Sequence, residues 1–136
     1  MAETVAAERW LYTVLSGDAT LAGLVSGIFA YMAPSTASLP YVVYTMQSGR
    51  DLNGLGPTRW WSDTRYLVRG IAETTTFGGD LKTIADRIDA VLQAASGTVV
   101  DGTVVVCVRE QPFSMVEVAN ERQYRHLGGV YRLIVQ

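Results

Sequence analysis

The chain has 136 residues, 49% of them hydrophobic and 18% charged, and its formal net charge at pH 7 is −2. A chain of this length is expected to fold as one domain around a sizeable core, and its composition is globular rather than disordered. The small negative charge excludes a protein that attracts polyanions through its overall charge. No apolar run reaches the roughly 20 residues that cross a bilayer.

The first part of the chain predicts two helices and two strands. Residues 4–15 carry apolar side chains at helical spacing, and Asp18 is placed to cap a second, shorter helix. Residues 28–32 predict a short strand that Pro34 ends. The run of β-branched and aromatic residues at 41–47 predicts a longer strand.

The second half of the chain predicts a strand, a long helix and a hairpin. Residues 62–73 alternate, which predicts a half-buried strand with arginines on a wet or interface-forming face. Residues 80–95 keep apolar side chains at helical spacing without a gap and predict the clearest helix. Asp101-Gly102 is then typical of a tight turn before a strand at 103–109.

A last strand is predicted at 124–135, where Gly128-Gly129 indicates a bulge or a bend. This order of elements predicts an α+β fold, in which one long helix and an N-terminal helical hairpin pack on a mostly antiparallel sheet. The strands on either side of the long helix have the alternative of pairing in parallel. The whole chain, residues 1–136, is predicted to form a single domain.

The segment SGRDLNGLGPTRWW, residues 48–61, lies between two predicted strands. Gly49 and Gly54 have the spacing of a phosphate-binding loop, but Leu55-Gly56 stands where that motif requires Lys and then Ser or Thr. Nucleotide binding is therefore excluded. A docking arm is favoured, because an isolated glycine-rich loop is costly to order and needs contacts outside itself. The alternative is a flexible surface loop with one half-buried tryptophan.

Eight side chains in and after this segment are the predicted interaction residues. Adjacent tryptophans on an extended chain point to opposite faces, so that one enters the core and the other covers a neighbouring surface. Arginine suits bidentate pairing across an interface better than lysine, although ten arginines against one lysine also fit a GC-rich genome. The set is Arg50, Leu52, Leu55, Arg59, Trp60, Trp61, Arg65 and Arg69.

The sequence predicts no catalytic, metal-binding or cofactor-binding residues. His126 is the only histidine, and it has neither a nucleophile motif nor a second histidine to hold a metal. Cys107 lies in an apolar run without a CxxC partner, and we expect it to be a plain buried side chain. The chain is thus expected not to be an enzyme and to need no cofactor. One alternative is a small ligand-binding domain or enzyme that uses His126 and Asp63.

Six short stretches follow one another in a distinctive order. They are LSGDATLAGLV at 15–25, AP at 33–34, LPYVVY at 39–44, RYLV at 65–68, ADRI at 85–88 and YRLIV at 131–135. In this pattern the chain resembles the phage tail terminator (tail completion) family, small proteins that cap the tail tube of long-tailed phages. The glycine-rich segment falls where members of that family vary, so no role for it carries over.

The resemblance implies a homo-hexameric ring that caps the tail tube, terminates tube polymerisation and joins the tail to the head-neck connector. The implied partners are further copies of the chain, the tail tube protein and the connector protein. Genomic DNA would pass through the lumen without sequence-specific binding, and no membrane is involved.

The expected location is the virion, at the neck end of the phage tail, after assembly in the host cytoplasm. The eight interaction residues would serve subunit or tail-tube docking. Another head-tail connector protein or a minor tail protein is the alternative within the virion.

Overall fold

The computed structural model describes residues 3–73 and 79–136, and within these ranges it contains three helices and six strands. The helices are α1 (Glu3–Ser16), α2 (Ala19–Leu24) and α3 (Gly79–Leu92). The strands are β1 (Ile28–Ala30), β2 (Tyr41–Asn53), β3 (Arg59–Glu73), β4 (Ala95–Val99), β5 (Gly102–Ala119) and β6 (Arg122–Val135). None of the helices in the described ranges is long and apolar enough to span a membrane.

All six strands belong to one sheet, in the order β1-β2-β3-β6-β5-β4. β1 pairs in parallel with β2, and the other four neighbouring pairs are antiparallel. β2 with β3 and β5 with β6 form two long hairpins. Because Ser62 lies opposite Val135 and Glu73 lies opposite Tyr124, these two hairpins project from opposite ends of the sheet.

The predicted fold class is wrong. The chain is a curled, mixed six-stranded sheet, because β1 pairs in parallel with β2, and its described residues lack the one long helix that the predicted class required. No helix of the described part is the single long one, since α1 and α3 have 14 residues each. The error has a physical cause, because β2 continues through Gly49 and β5 through Pro112. Both residue types are unfavourable inside strands, and the predicted strands stopped short of them.

The helices pack against one face of the sheet and bury its apolar side chains. Side chains of this core include Trp10, Leu11, Leu15, Val42, Tyr66, Val68, Ile84, Ile88, Leu92, Cys107, Tyr131 and Leu133. Two buried hydroxyls find carboxylates on the helices: Tyr66 donates to Glu8 and Tyr131 donates to Asp89, each at 3.0 Å. The core is therefore closed by hydrogen bonds that link the central strands β3 and β6 to α1 and α3.

One carboxylate ties α2 to α3. Asp18 caps α2 by accepting from the Leu21 N–H at 2.9 Å, which confirms the predicted cap. Arg87 of α3 donates to the two oxygens of the same carboxylate at 2.8 and 2.6 Å. The hydrogen bond from Arg87 lowers the pKa of Asp18 to about 2.

Four extra residues interrupt the ladders that join β2 to β3 and β5 to β6. They are Gln47 in β2, Trp60 in β3, and Val105 and Glu110 in β5. Each such bulge bends its strand and increases the local twist, which accounts for a curled sheet. The bulges also decide which face of the sheet the following side chains reach.

Gly128-Gly129 does not form the predicted bulge, because β6 pairs with β3 without a register shift. A Cβ on Gly128 would lie 2.7 Å from the Arg69 Cα and closer still to the Val68 carbonyl oxygen. Gly128 is thus needed for the close approach of β3 to β6. The nearest bulge lies on the neighbouring strand, at Glu110 of β5.

Candidate interaction surface

All eight predicted interaction residues lie on the β2–β3 hairpin, six of them in the segment 48–61 at its outer end, and that segment is more ordered than a loop. Only residues 54–58 form its tip, because residues 48–53 pair with β3. The segment at 48–61 is therefore mostly a β-ribbon. Its order comes from strand pairing, so the expectation that outside contacts alone would order it is wrong.

Neither tryptophan enters the core. Trp60 is 55% exposed, and its ring lies over Gly54, where a Cβ would come within 2.5 Å of the indole. Trp61 is half-buried, and the centroids of the two rings are 5.9 Å apart. The bulge at Trp60 disturbs the alternation of side chains along β3, which accounts for neighbouring rings in contact. Together with Leu55, which is 100% exposed, Trp60 makes the hairpin tip apolar.

The four predicted arginines have different surroundings. Arg59 binds Glu3 of α1 at 2.9 Å and Asp51 at 3.6 Å, so it ties the hairpin to the first helix. Arg50 is exposed on the hairpin and Arg65 lies further along β3. Arg69 is half-buried at the far end of β3, where burial lowers its pKa. The structure therefore separates Arg69 from the rest of the predicted set.

Asp63 is the centre of an ion network on the sheet face that points away from the helices. Its side chain is 4% exposed and accepts two hydrogen bonds from Arg132 and one from Arg65, each at 2.9 Å. Arg65 also donates to Glu110 at 2.8 Å. The hydrogen bond from Arg132 holds the pKa of Asp63 below its usual range. Arg65 is thus committed to contacts within the chain.

Sequence reasoning missed Arg132 and Glu110. Arg132 meets Asp63 across 69 residues of sequence, and Glu110 meets Arg65 across 45. No local pattern identifies partners at such separations. Only the pairing of β3 with β6 and of β6 with β5 brings them together.

The outer half of the β5–β6 hairpin was also missed. Met115, Val116 and Val118 are 39%, 53% and 72% exposed there. The signal was present as the strand-forming run SMVEV at 114–118, but Pro112 before it favours the end of a strand. The second projecting hairpin therefore carries an apolar surface of its own.

His126 is buried, and its Nε2 lies 3.0 Å from a Glu117 carboxylate oxygen. Burial lowers the pKa of this histidine. A groove of about 430 Å³ lies beside it, with Arg69 in its wall. His126 lies opposite Ile71 of β3. Ile71 is eight positions along β3 from Asp63, a distance of roughly 26 Å. The alternative prediction of a single site that uses both His126 and Asp63 is therefore wrong.

Cys107 is a buried side chain, as predicted, and burial raises its pKa to about 12. Within residues 3–73 and 79–136, no three His, Cys, Asp or Glu side chains lie close enough together to hold a metal ion. The described side chains therefore offer two projecting hairpins with exposed apolar residues and one charged sheet face. Such features are typical of a structural protein that acts through contacts with other proteins.

Residues 9–133 match the family described as Tail completion protein gp17, so the chain belongs to that family. This confirms the resemblance found in the sequence, and it makes the chain a structural protein of the phage tail, located in the virion. Family membership also implies association with other tail proteins.

The fold is similar to that of a chain in a solved structure titled "Virion of native gene transfer agent (GTA) particle". The two chains are 20% identical, with a TM-score of 0.76 over 98% of this chain and 97% of that one. At this identity the likeness concerns the fold alone. No curated protein sequence is significantly similar to this chain.

Proposed function

We propose that this protein forms a homo-hexameric ring on the end of the phage tail tube. There it terminates tube polymerisation and joins the tail to the head-neck connector. The observation that carries the proposal is the match of residues 9–133 to the tail completion family. The similarity of its fold to a chain from the gene transfer agent virion supports an assembled role of this kind.

In this proposal the protein has no catalytic activity. Its partners are further copies of itself, the tail tube protein and the head-neck connector protein, and genomic DNA passes through the lumen without sequence-specific contacts. A closed ring of identical subunits needs two different, complementary surfaces on each subunit. Two hairpins that project from opposite ends of one sheet are compatible with that need.

The mass of the purified protein and its image by negative-stain electron microscopy test the ring. We expect a particle of six 14.8-kDa chains with a central hole, in solution or at the neck end of purified tails. Tails made without the protein should have tubes of uncontrolled length that fail to join heads. Single copies both in solution and on virions, or copies located away from the neck, would contradict the proposal.

The tip of the β2–β3 hairpin, residues 54–58 with Trp60, is proposed to contact the tail tube. Leu55 is fully exposed, so Leu55→Ser should leave the free energy of unfolding unchanged to about 0.5 kcal/mol. The same variant should lower the joining of heads to tails about tenfold, because burying a leucine side chain at an interface contributes about 1.5–3 kcal/mol and about 1.4 kcal/mol is a factor of ten. Counting complete virions by electron microscopy measures this effect.

Val100→Ser is the matched control for that experiment. Val100 is an exposed apolar residue in the turn between β4 and β5, which lies at the same end of the sheet. We expect wild-type stability and wild-type joining from it. Equal loss of joining in both variants would show that general surface hydrophobicity matters rather than the hairpin tip.

A further inference from the structure

Two backbone edges of the sheet are uncovered along part of their length. β1 covers β2 only from Val42 to Tyr44, and β4 covers β5 only as far as Cys107. Beyond Cys107, the Arg109 N–H donates to the Gln93 side chain at 2.8 Å. In the described part of the chain, no strand pairs with the outer side of residues 48–53 of β2, here the free β2 edge. The same holds for residues 114–119 of β5, the free β5 edge.

Uncovered edges invite pairing with another chain, and natural proteins usually blunt them with lysine, proline or bulges. Neither free edge contains lysine or proline. Pro112 and the bulge at Glu110 come just before the free β5 edge, and the bulge at Gln47 comes just before the free β2 edge. Proline, lysine and bulges therefore stop where the two free edges begin, and the charged side chains that remain on them, Arg50, Asp51 and Glu117, are of both signs.

The directions of the two strands suit pairing between identical copies. β2 and β5 lie on opposite sides of the central strands β3 and β6, and β2 runs antiparallel to β5. A second copy laid beside the first with its strands running in the same sense therefore presents its β2 antiparallel to β5 of the first. The contact uses a different edge on each copy, which is the kind that closes rings.

The two free edges are offset along the sheet. The pairings across β3 and β6 place Ser48 of β2 level with Val108 of β5, so the free β2 edge lies at the end of the sheet where β5 begins. The free β5 edge lies at the other end, where it pairs with the first residues of β6. Pairing the two free edges therefore staggers neighbouring copies by about 11 positions, or roughly 36 Å, along the strands, so the strands must tilt steeply against the axis of a closed ring. The stagger carries β4 past the tip of the neighbour's β2–β3 hairpin, so β4 does not block the pairing.

Side chains on the face away from the helices select one register. Arg50 lies opposite Asp63 on that face, and Glu117, which contacts His126, lies on it too. Placing Arg50 beside Glu117 in an antiparallel ladder also places Leu52 beside Met115. Both pairs are complementary, because the first joins opposite charges and the second joins apolar side chains. Asp51 points to the other face, where Arg59 lies 3.6 Å away.

We propose that the free β2 edge of one copy pairs antiparallel with the free β5 edge of the next, with Arg50 facing Glu117 and Leu52 facing Met115. The inference rests on the proposed ring and adds which surfaces join its subunits. A continuous sheet then runs from copy to copy, and on its other face Val116 lies beside Asp51 and Val118 beside Gly49 of the next copy.

A charge swap is the first test. Arg50→Glu alone and Glu117→Arg alone should each lower the assembled fraction at least about tenfold, because like charges then meet at each junction. The double variant Arg50→Glu with Glu117→Arg should restore assembly. Circular dichroism of each variant reports whether the monomer folds. Folded single variants that assemble like wild type, or a folded double variant that does not recover, would overturn the proposal.

Disulfide formation is the second test and does not depend on charge. Leu52→Cys with Met115→Cys in one chain should link copies into covalent ladders up to a closed ring after mild oxidation, because directly opposed residues on adjacent strands are within disulfide reach. Leu52→Cys with Val116→Cys is the control, since neighbouring residues on a strand point to opposite faces. The native Cys107 is buried and does not compete.

The two proposals fail in different ways. Wild-type rings together with no link between residues 52 and 115 would overturn the edge pairing and leave the ring standing. A link from residue 115 to another tail protein would show that a foreign strand occupies the free β5 edge. Single copies everywhere would overturn both.

Discussion

A Gly128→Val variant should fail to accumulate as folded protein. The Cβ of any other residue at this position would lie 2.7 Å from the Arg69 Cα and nearer still to the Val68 carbonyl oxygen. These are backbone atoms of β3, which is held on both sides by β2 and β6 and has no room to move away. We expect a loss of more than about 4 kcal/mol, a large part of the stability of a small domain. Soluble yield and urea unfolding measure it.

Two other glycines make a graded comparison. A Cβ on Gly129 would lie 2.6 Å from the Arg109 Cδ and 3.1 Å from the Gln111 carbonyl oxygen, and because the nearest atom belongs to a side chain that is 42% exposed, Gly129→Ala should cost about 1–2 kcal/mol. Gly23 in α2 has nothing within 4 Å of its would-be Cβ, so Gly23→Ala should be neutral or stabilising by up to about 1 kcal/mol. A Gly128→Val protein that unfolds at the wild-type urea concentration would show that β3 and β6 do not approach this closely.

Local pattern predicted the elements whose signal is complete within a few residues. The periodicity at 4–15 matches α1, and the periodicity at 80–95 locates α3 but extends it too far, since α3 ends at Leu92 and Ala95 begins β4. The Asp101-Gly102 turn joins β4 to β5. Asp18 caps α2 because the cap depends only on the residues that follow it. These features need no knowledge of distant partners.

The full lengths of β2 and β5 and the positions of the bulges could not be predicted from local pattern. Gly49 and Pro112 oppose strand formation locally, yet both lie in strands because the neighbouring strand supplies the pairing. Tertiary context decides strand formation more than local propensity does. The bulges at Gln47, Trp60 and Glu110 are equally invisible, since each is defined by a mismatch between two strands.

In the candidate interaction surface, too, the residues that are neighbours in sequence were predicted and those brought together by strand pairing were not. The segment 48–61 was predicted to be a docking arm from its glycines, tryptophans and arginines, which are neighbours in sequence, and this role stays a prediction. The β5–β6 hairpin and its exposed Val116 and Val118 were missed, because a short apolar run after proline does not reveal that it continues β5 with its side chains exposed. The role of Arg65 within an ion network depends on Arg132, which belongs to another strand.

Asp63→Asn should destabilise the fold by about 2–4 kcal/mol. The amide keeps the shape of the carboxylate but removes its charge, and it leaves the guanidinium groups of Arg65 and Arg132 facing each other across adjacent strands. Removing one member of a buried ion pair costs about 3–5 kcal/mol, and partial exposure of both arginines reduces this figure. Glu110→Gln, at the exposed end of the network, should cost less than about 1 kcal/mol. Urea unfolding at pH 7 compares the three proteins.

The pH dependence separates the charge of Asp63 from its shape. The pKa of this carboxyl is lowered in the folded protein, so its stabilising contribution is complete above the unfolded value of about 3.9 and is lost as the pH falls through the folded value. The stability gap between wild type and Asp63→Asn should therefore be constant from pH 5 to 8 and should narrow below about pH 4. Asp18 also has a lowered pKa, but it titrates in both proteins and cancels from the difference. A gap that stays constant down to pH 2 would mean that the substituted amide disturbs packing, and that the ion network contributes little to holding β3, β5 and β6 together.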